Sequence, residues 1–189
     1  MNPDHPTALN LRQQDPLPER TAKFFRICEE KLGMVPNVLR SYAHDTTKLD
    51  AFSTMYNDLM LGESGLTKLE REMIAVVVSA VNRCFYCLVA HGAAVRELSG
   101  HPELGEALVM NYRVADVTPQ QRAALDFAVA MTEGSYRIEE ADRQKLRDAG
   151  WTDKDIWDIA AVASFFNMTN RMSSAIDMRP NTEYHATAR

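Results

Sequence analysis

The sequence has little glycine and proline. Eight of each in 189 residues is roughly 8% of the chain, where ordinary globular usage is about 12%, and so few breakers favour long helices. Positive charge is also short: 21 Lys and Arg stand against 26 Asp and Glu, a formal net charge of −5. The phosphate-neutralising term that dominates nucleic-acid affinity is therefore missing, and no nucleic-acid partner is expected. No long apolar run occurs. The longest, Met73 to Val81, spans nine residues with Ser79 inside it, about half of what a membrane helix needs, so no membrane span is expected. The opening residues MNPDHPTALNLRQQD show neither a basic nor an apolar leader region. Three cysteines, an odd number, do not look like an extracellular disulfide framework. A cytoplasmic protein is expected. What is present is ordinary: 46% apolar and 25% charged residues exclude disorder and allow a real core at this length.

Residues 1–18 carry four prolines and no apolar periodicity, so they read as an extended arm ahead of a single helical domain over 19–189, an arm that could pack on a neighbouring molecule. From Arg20, apolar residues recur at helical spacing to Leu32, with Gly33 at the stop. Pro36 suits the first turn of a short helix to about Tyr42, and Thr46 or Thr47 is expected to cap the next, which Gly62 and Gly65 close. Thr67 with Glu70 forms a capping box before Met73–Val81. Asn82 is expected to cap a helix through Cys84, Cys87 and His91 to Gly100. Pro102 opens another short helix, Thr118-Pro119 with Gln121 a longer one, Ile138–Ala149 a shorter one stopped by Gly150, and Thr152 with Asp155 a last one to about Ile176. The tail from Met178 reads as irregular. With no hairpin signal or alternating strand, the fold class is all-α. Met73–Val81 and Ala160–Met168 are apolar on more than one side, which predicts burial against further copies, a homo-oligomer.

The chemistry concentrates between Glu72 and His91. Cys84 and Cys87 form a C-x-x-C pair; on a helix their Cα atoms lie roughly 5 Å apart, within disulfide range. His91 lies about 40° around from Cys87 and one turn on, so its imidazole can take that thiol's proton directly or through water. A thiol reacts as the thiolate, and a neighbouring base or a helix N-terminus produces one. Two effects compete here: a first-turn position favours Cys84, and His91 favours Cys87. Residue spacing alone leaves this open. Zinc would need four ligands, and no second C-x-x-C exists, so His101 and Cys28 would have to be recruited from a distance. No metal site is expected. Cys28 sits on a hydrophobic face and reads as core. Asn167, Asn170 and Arg171 read as interhelical hydrogen-bonding partners in preference to substrate contacts.

Glu72, eleven intervening residues, C-x-x-C, three residues and His91, with the NRCFYCLVAH block and the late FFNMTNRM segment, resemble the signature of AhpD-like alkylhydroperoxidases of the carboxymuconolactone decarboxylase family, in the branch of peroxidase-related enzymes. The resemblance runs over roughly residues 20 to 185. It implies an AhpD-like helical bundle, an oligomer of dimer to hexamer size, and a peroxidase working without bound cofactor. The thiol matching Cys87 would attack the peroxide and that matching Cys84 would resolve the sulfenic acid to a disulfide. Glu72 and His91 would form the proton relay, and an external dithiol reductant of lipoyl type would reopen the disulfide. The chain departs from the pattern at Tyr86, where peroxidase members often carry His. Tyr86 is about 100° from Cys87 on the helix, so its hydroxyl is not expected to replace that group. Disulfide exchange, which needs only the pair, is the alternative activity, with a redox-sensing module or a lactone decarboxylase further alternatives.

Overall fold

The computed structural model describes residues 6–189; the first five residues of the expected arm lie outside the described part. Where helices were expected, caps explain them. α1 (Glu19–Leu32) ends at Gly33, whose φ of 71° lets its N–H reach back to the Glu29 carbonyl. α2 (Asn37–Tyr42) follows Pro36, which stands just outside the helix and not in its first turn. α3 (Thr46–Leu61) is capped by Asp45 and not by Thr46 or Thr47, because the Asp45 carboxylate accepts the N–H groups of Thr47 and Lys48 together. The Thr67/Glu70 box starts α4 (Lys68–Val81) as expected. α5 (Phe85–Ser99), α6 (Pro102–Asn111) and α7 (Pro119–Gly134) follow, the last on its Thr118/Gln121 box. α8 (Glu140–Asp148) begins two residues later than its apolar pattern suggested, because Glu139 and Asp142 form a box of their own. α9 (Asp153–Ala175) starts on Thr152/Asp155 and is the longest helix. No strand occurs among the described residues.

α4 is the axis. Every residue from Arg71 to Ser79 is buried, with α3, α5, α6, α7 and α9 packed around it. Met73 to Ser79 is enclosed by the chain's own helices, while Ala80 and Val81 stay half-buried. α9 differs, since Trp157, Met168 and Met172 on its outer side stay exposed. Buried polar groups are satisfied within this core. The Arg71 guanidinium donates to the carbonyls of Leu59, Gly62 and Leu66 and so closes the α3–α4 turn. Asn170 donates to Ser79 at 2.9 Å, and the Asn82 amide donates to Asn170 and Asn167 at 3.0 and 3.1 Å. Asn167 donates in turn to Thr132 at 2.9 Å. Asn167 and Asn170 are the interhelical partners their sequence context suggested, while Arg171 stays exposed and donates to Asn167.

The chain ends lie against the body. Ala8 N–H donates to the Ile176 carbonyl, Gln14 N–H to that of Ala43, and Arg179 N–H to that of Pro6. The described part of the arm thus packs on its own chain. The tail expected to be irregular contains a 3₁₀ turn, Thr182–His185, held from two sides. Asn181 accepts from the Asn37 N–H at 2.7 Å and donates to the Val35 carbonyl at 3.0 Å. Arg96 of α5 donates to the carbonyls of Tyr184 and Thr187 at 2.9 and 3.0 Å.

Candidate active site

The α4–α5 junction places the two cysteines. Asn82 ends α4 and does not cap α5, correcting the expectation from sequence. Arg83 adopts a left-handed backbone, φ 54°, and the chain doubles back there: the N–H groups of Arg83 and Cys84 bond to the carbonyls of Ala80 and Ser79. Cys84 is thus both the residue that closes α4 and the N-cap of α5, one position earlier than the first turn. Cys87 is the third residue inside α5, and the cysteines are close, unlinked and buried.

Acidity and access divide between them. The Cys84 thiol is pulled down to about 6, first by the hydrogen bond from the Cys87 thiol; the Cys87 backbone N–H and the Ser174 and Ser173 hydroxyls act in the same direction, against burial. Cys87 is held far above the ordinary thiol range, because it donates to Cys84, is buried, and faces the negative charge of its partner. The two sulfurs thus share a proton, with Cys84 the more acidic of the pair. Yet Cys87, and not Cys84, lines the cavity that opens beside them, a space of about 460 Å³.

Glu72 and His91 line the same cavity. His91 Nδ1 lies 2.6 Å from Glu72 Oε2, with the two side chains only 13% and 11% exposed. A buried carboxylate at this distance fixes the ring's orientation. Phe166 meets the imidazole edge-on at 4.6 Å. The second ring nitrogen makes no hydrogen bond to the described residues and is free to exchange a proton with the cavity. Structure and spacing agree that Cys87 and His91 share one face of α5, with Glu72 delivered from α4 behind them.

The rest of the wall could not be read from the sequence. Phe24, Phe52, Tyr56 and Phe165 give it several aromatic faces among aliphatic and polar ones. Cys28 also reaches it, although it packs mainly with Phe25 and Leu39, and burial raises its thiol, with Glu29 adding to the effect. Tyr86 does not stand in for a second histidine: its hydroxyl accepts the Val38 N–H at 3.1 Å. His101 lies apart on the exposed α5–α6 link beside Glu103. Among the described residues no three His, Cys, Asp or Glu side chains converge as metal ligands.

Residues 49–130 match the sequence profile of the Carboxymuconolactone decarboxylase family. Among solved structures, an uncharacterized peroxidase-related protein from Silicibacter sp. TM1040 is 66% identical over 100% of this chain and 99% of its own, with a TM-score of 0.97. A peroxidase-related protein from Ralstonia eutropha JMP134, described as an alkylhydroperoxidase AhpD core, is 42% identical over 97% of this chain and 96% of its own, TM-score 0.93. The debrominase Bmp8, solved with 2,3,4-tribromopyrrole, shares the fold at 20% identity over 93% and 92% of the two chains, TM-score 0.77. No curated protein matches. The chain belongs to the carboxymuconolactone decarboxylase family, in its AhpD-like group.

Proposed function

We propose that the protein is a thiol-dependent peroxidase that reduces a hydroperoxide through a Cys84–Cys87 dithiol cycle. The observation that carries this reading is the cavity wall: it presents the Cys87 sulfur together with a His–Glu pair, and keeps the second thiol directly behind. In the first step the Cys87 proton passes to His91, held by Glu72, and the sulfur attacks the terminal peroxide oxygen. The O–O bond breaks, an alcohol leaves, and Cys87 becomes a sulfenic acid. In the second step Cys84 attacks that sulfenic sulfur, a disulfide forms, and the departing hydroxide takes a proton from solvent and leaves as water. A sulfur lowered to about 6 is already a thiolate at neutral pH, so Cys84 suits the resolving role even though it cannot meet substrate first. An external dithiol, of lipoyl type, then exchanges with the disulfide and restores the pair.

The near-complete burial of both cysteines, 1% and 3% exposed, counts against a bulky protein disulfide as the principal substrate and favours a small molecule entering the cavity. Peroxide consumption with dihydrolipoamide as reductant tests the reading. Cys87→Ser is expected to reduce turnover to background, and Cys84→Ser to stop turnover while leaving a sulfenic acid that a dione probe traps. Undiminished turnover in Cys87→Ser overturns it.

A further inference from the structure

The tail brings a polar group, outside the Glu72–His91 pair, to the wall of the cavity onto which the reacting sulfur opens. Tyr184, in the 3₁₀ turn Thr182–His185, lines the cavity and packs against the cluster formed by Cys84, Tyr86 and Cys87. Its position is fixed by the chain on both sides of it, through Asn181 on Asn37 and Val35, and through Arg96 on the carbonyls of Tyr184 itself and Thr187. Hydrogen-bond direction then follows. The Val38 N–H donates to the Tyr86 oxygen at 3.1 Å, which leaves the Tyr86 proton to turn toward Tyr184; their contact lowers Tyr184 and raises Tyr86 accordingly. A phenol that accepts from Tyr86 in this way has its own hydroxyl proton left to donate into the cavity it lines. Burial holds that phenol at about 12, so it is protonated at any working pH.

Other hydroxyls on the cavity wall are engaged elsewhere. Ser173 Oγ lies 4.0 Å from the Cys87 sulfur and 3.8 Å from the Met178 sulfur, and it acts on the thiol pair itself. Tyr56 packs with Phe52 and Phe165, in the aromatic stack of the main core.

We propose that Tyr184 is the acid that protonates the leaving oxygen when Cys87 attacks the peroxide, with Tyr86 as its positioning residue. This rests on the peroxidase reading above. As the sulfur–oxygen bond forms, the O–O electron pair goes to the departing alkoxide, a stronger base than a phenolate, and the alkoxide takes the Tyr184 proton. Sulfur is oxidised by two electrons and the peroxide reduced by two. The proton that His91 took from Cys87 returns to the tyrosinate through the cavity, so the net change is a thiol and a hydroperoxide converted to a sulfenic acid and an alcohol.

The test is single-turnover oxidation of the reduced enzyme by tert-butyl hydroperoxide, whose leaving alkoxide needs a proton, and by peracetic acid, whose leaving carboxylate does not. Tyr184→Phe, which keeps the ring and its packing, is expected to slow the first reaction by about 10²-fold, the usual worth of a placed general acid, and to leave the second nearly unchanged. Tyr86→Phe is expected to give a smaller loss with the same selectivity. An equal loss with both oxidants would show a structural role, and no loss with either would show that another group supplies the proton; both overturn the proposal while leaving the peroxidase reading intact. A parent enzyme inert toward both oxidants would overturn the peroxidase reading itself, and this inference with it.

Discussion

Glu72, Cys84, Cys87 and His91 all fall inside residues 49–130, the stretch that matches the family profile, whereas much of the wall facing them comes from α1, α2, α9 and the tail. The inner region is held by buried α4 and by polar side chains whose partners are all internal, such as Arg71 and the Asn82–Asn170–Ser79 chain. The outer region is borrowed from both ends of the chain and brings Phe24 and Phe165 to the wall, where α3, inside the matched stretch, adds Phe52 and Tyr56. The difference separates two tasks: the inner helices hold the reagents in register, and the outer segments decide what reaches them.

This division can be broken at several points. The largest effect is expected within the relay. His91→Asn should lower the rate of Cys87 oxidation by about 10³-fold and Glu72→Gln, which acts through the imidazole, by about 10²-fold, read in single-turnover experiments with hydrogen peroxide. Next comes the buried polar chain. Asn170→Ala removes one of the two acceptors of the Asn82 amide, the donor to Ser79 and a hydrogen bond that lowers Cys87, and should cost about 1–3 kcal/mol in urea denaturation, with a smaller loss of Cys87 oxidation rate than the relay variants. The wall should show the smallest effect. Phe24→Ala should raise KM for cumene hydroperoxide by about tenfold while hardly moving the parameters for hydrogen peroxide. If Phe24→Ala instead slowed both substrates alike, the outer wall would be part of the chemical machinery.

Much of the inner region was legible in the sequence because it depends on short-range spacing. Three capping boxes, at Thr67, Thr118 and Thr152, start their helices where the motifs stand, and the helical repeat alone placed His91 on the face of Cys87. The junction between α4 and α5 was misread by two residues. A non-glycine residue with left-handed backbone at Arg83 has no sequence signature, so Asn82 looked like a start where it is an end. Tyr184 was invisible for another reason. It reaches the cavity through contacts with Arg96 and Tyr86, about 90 residues earlier in the chain, and no local pattern reports such a meeting. An acidic Cys84 was one of the two readings the spacing left open, but its largest cause, the hydrogen bond from the Cys87 thiol, was hidden.

That shared proton sets how the pair exchanges electrons with its surroundings. With Cys84 ionised above about 6 and Cys87 protonated far beyond it, reducing a Cys84–Cys87 disulfide takes up two electrons but one proton. Its midpoint potential should then fall by about 30 mV per pH unit above this point, against about 59 mV for an ordinary dithiol that takes up two protons. Equilibration with dithiol buffers at a series of pH values would show it as a change of slope near pH 6. In mildly alkaline surroundings a conventional dithiol donor gains reducing power faster than this pair does, so recharging the enzyme becomes easier as protons become scarcer.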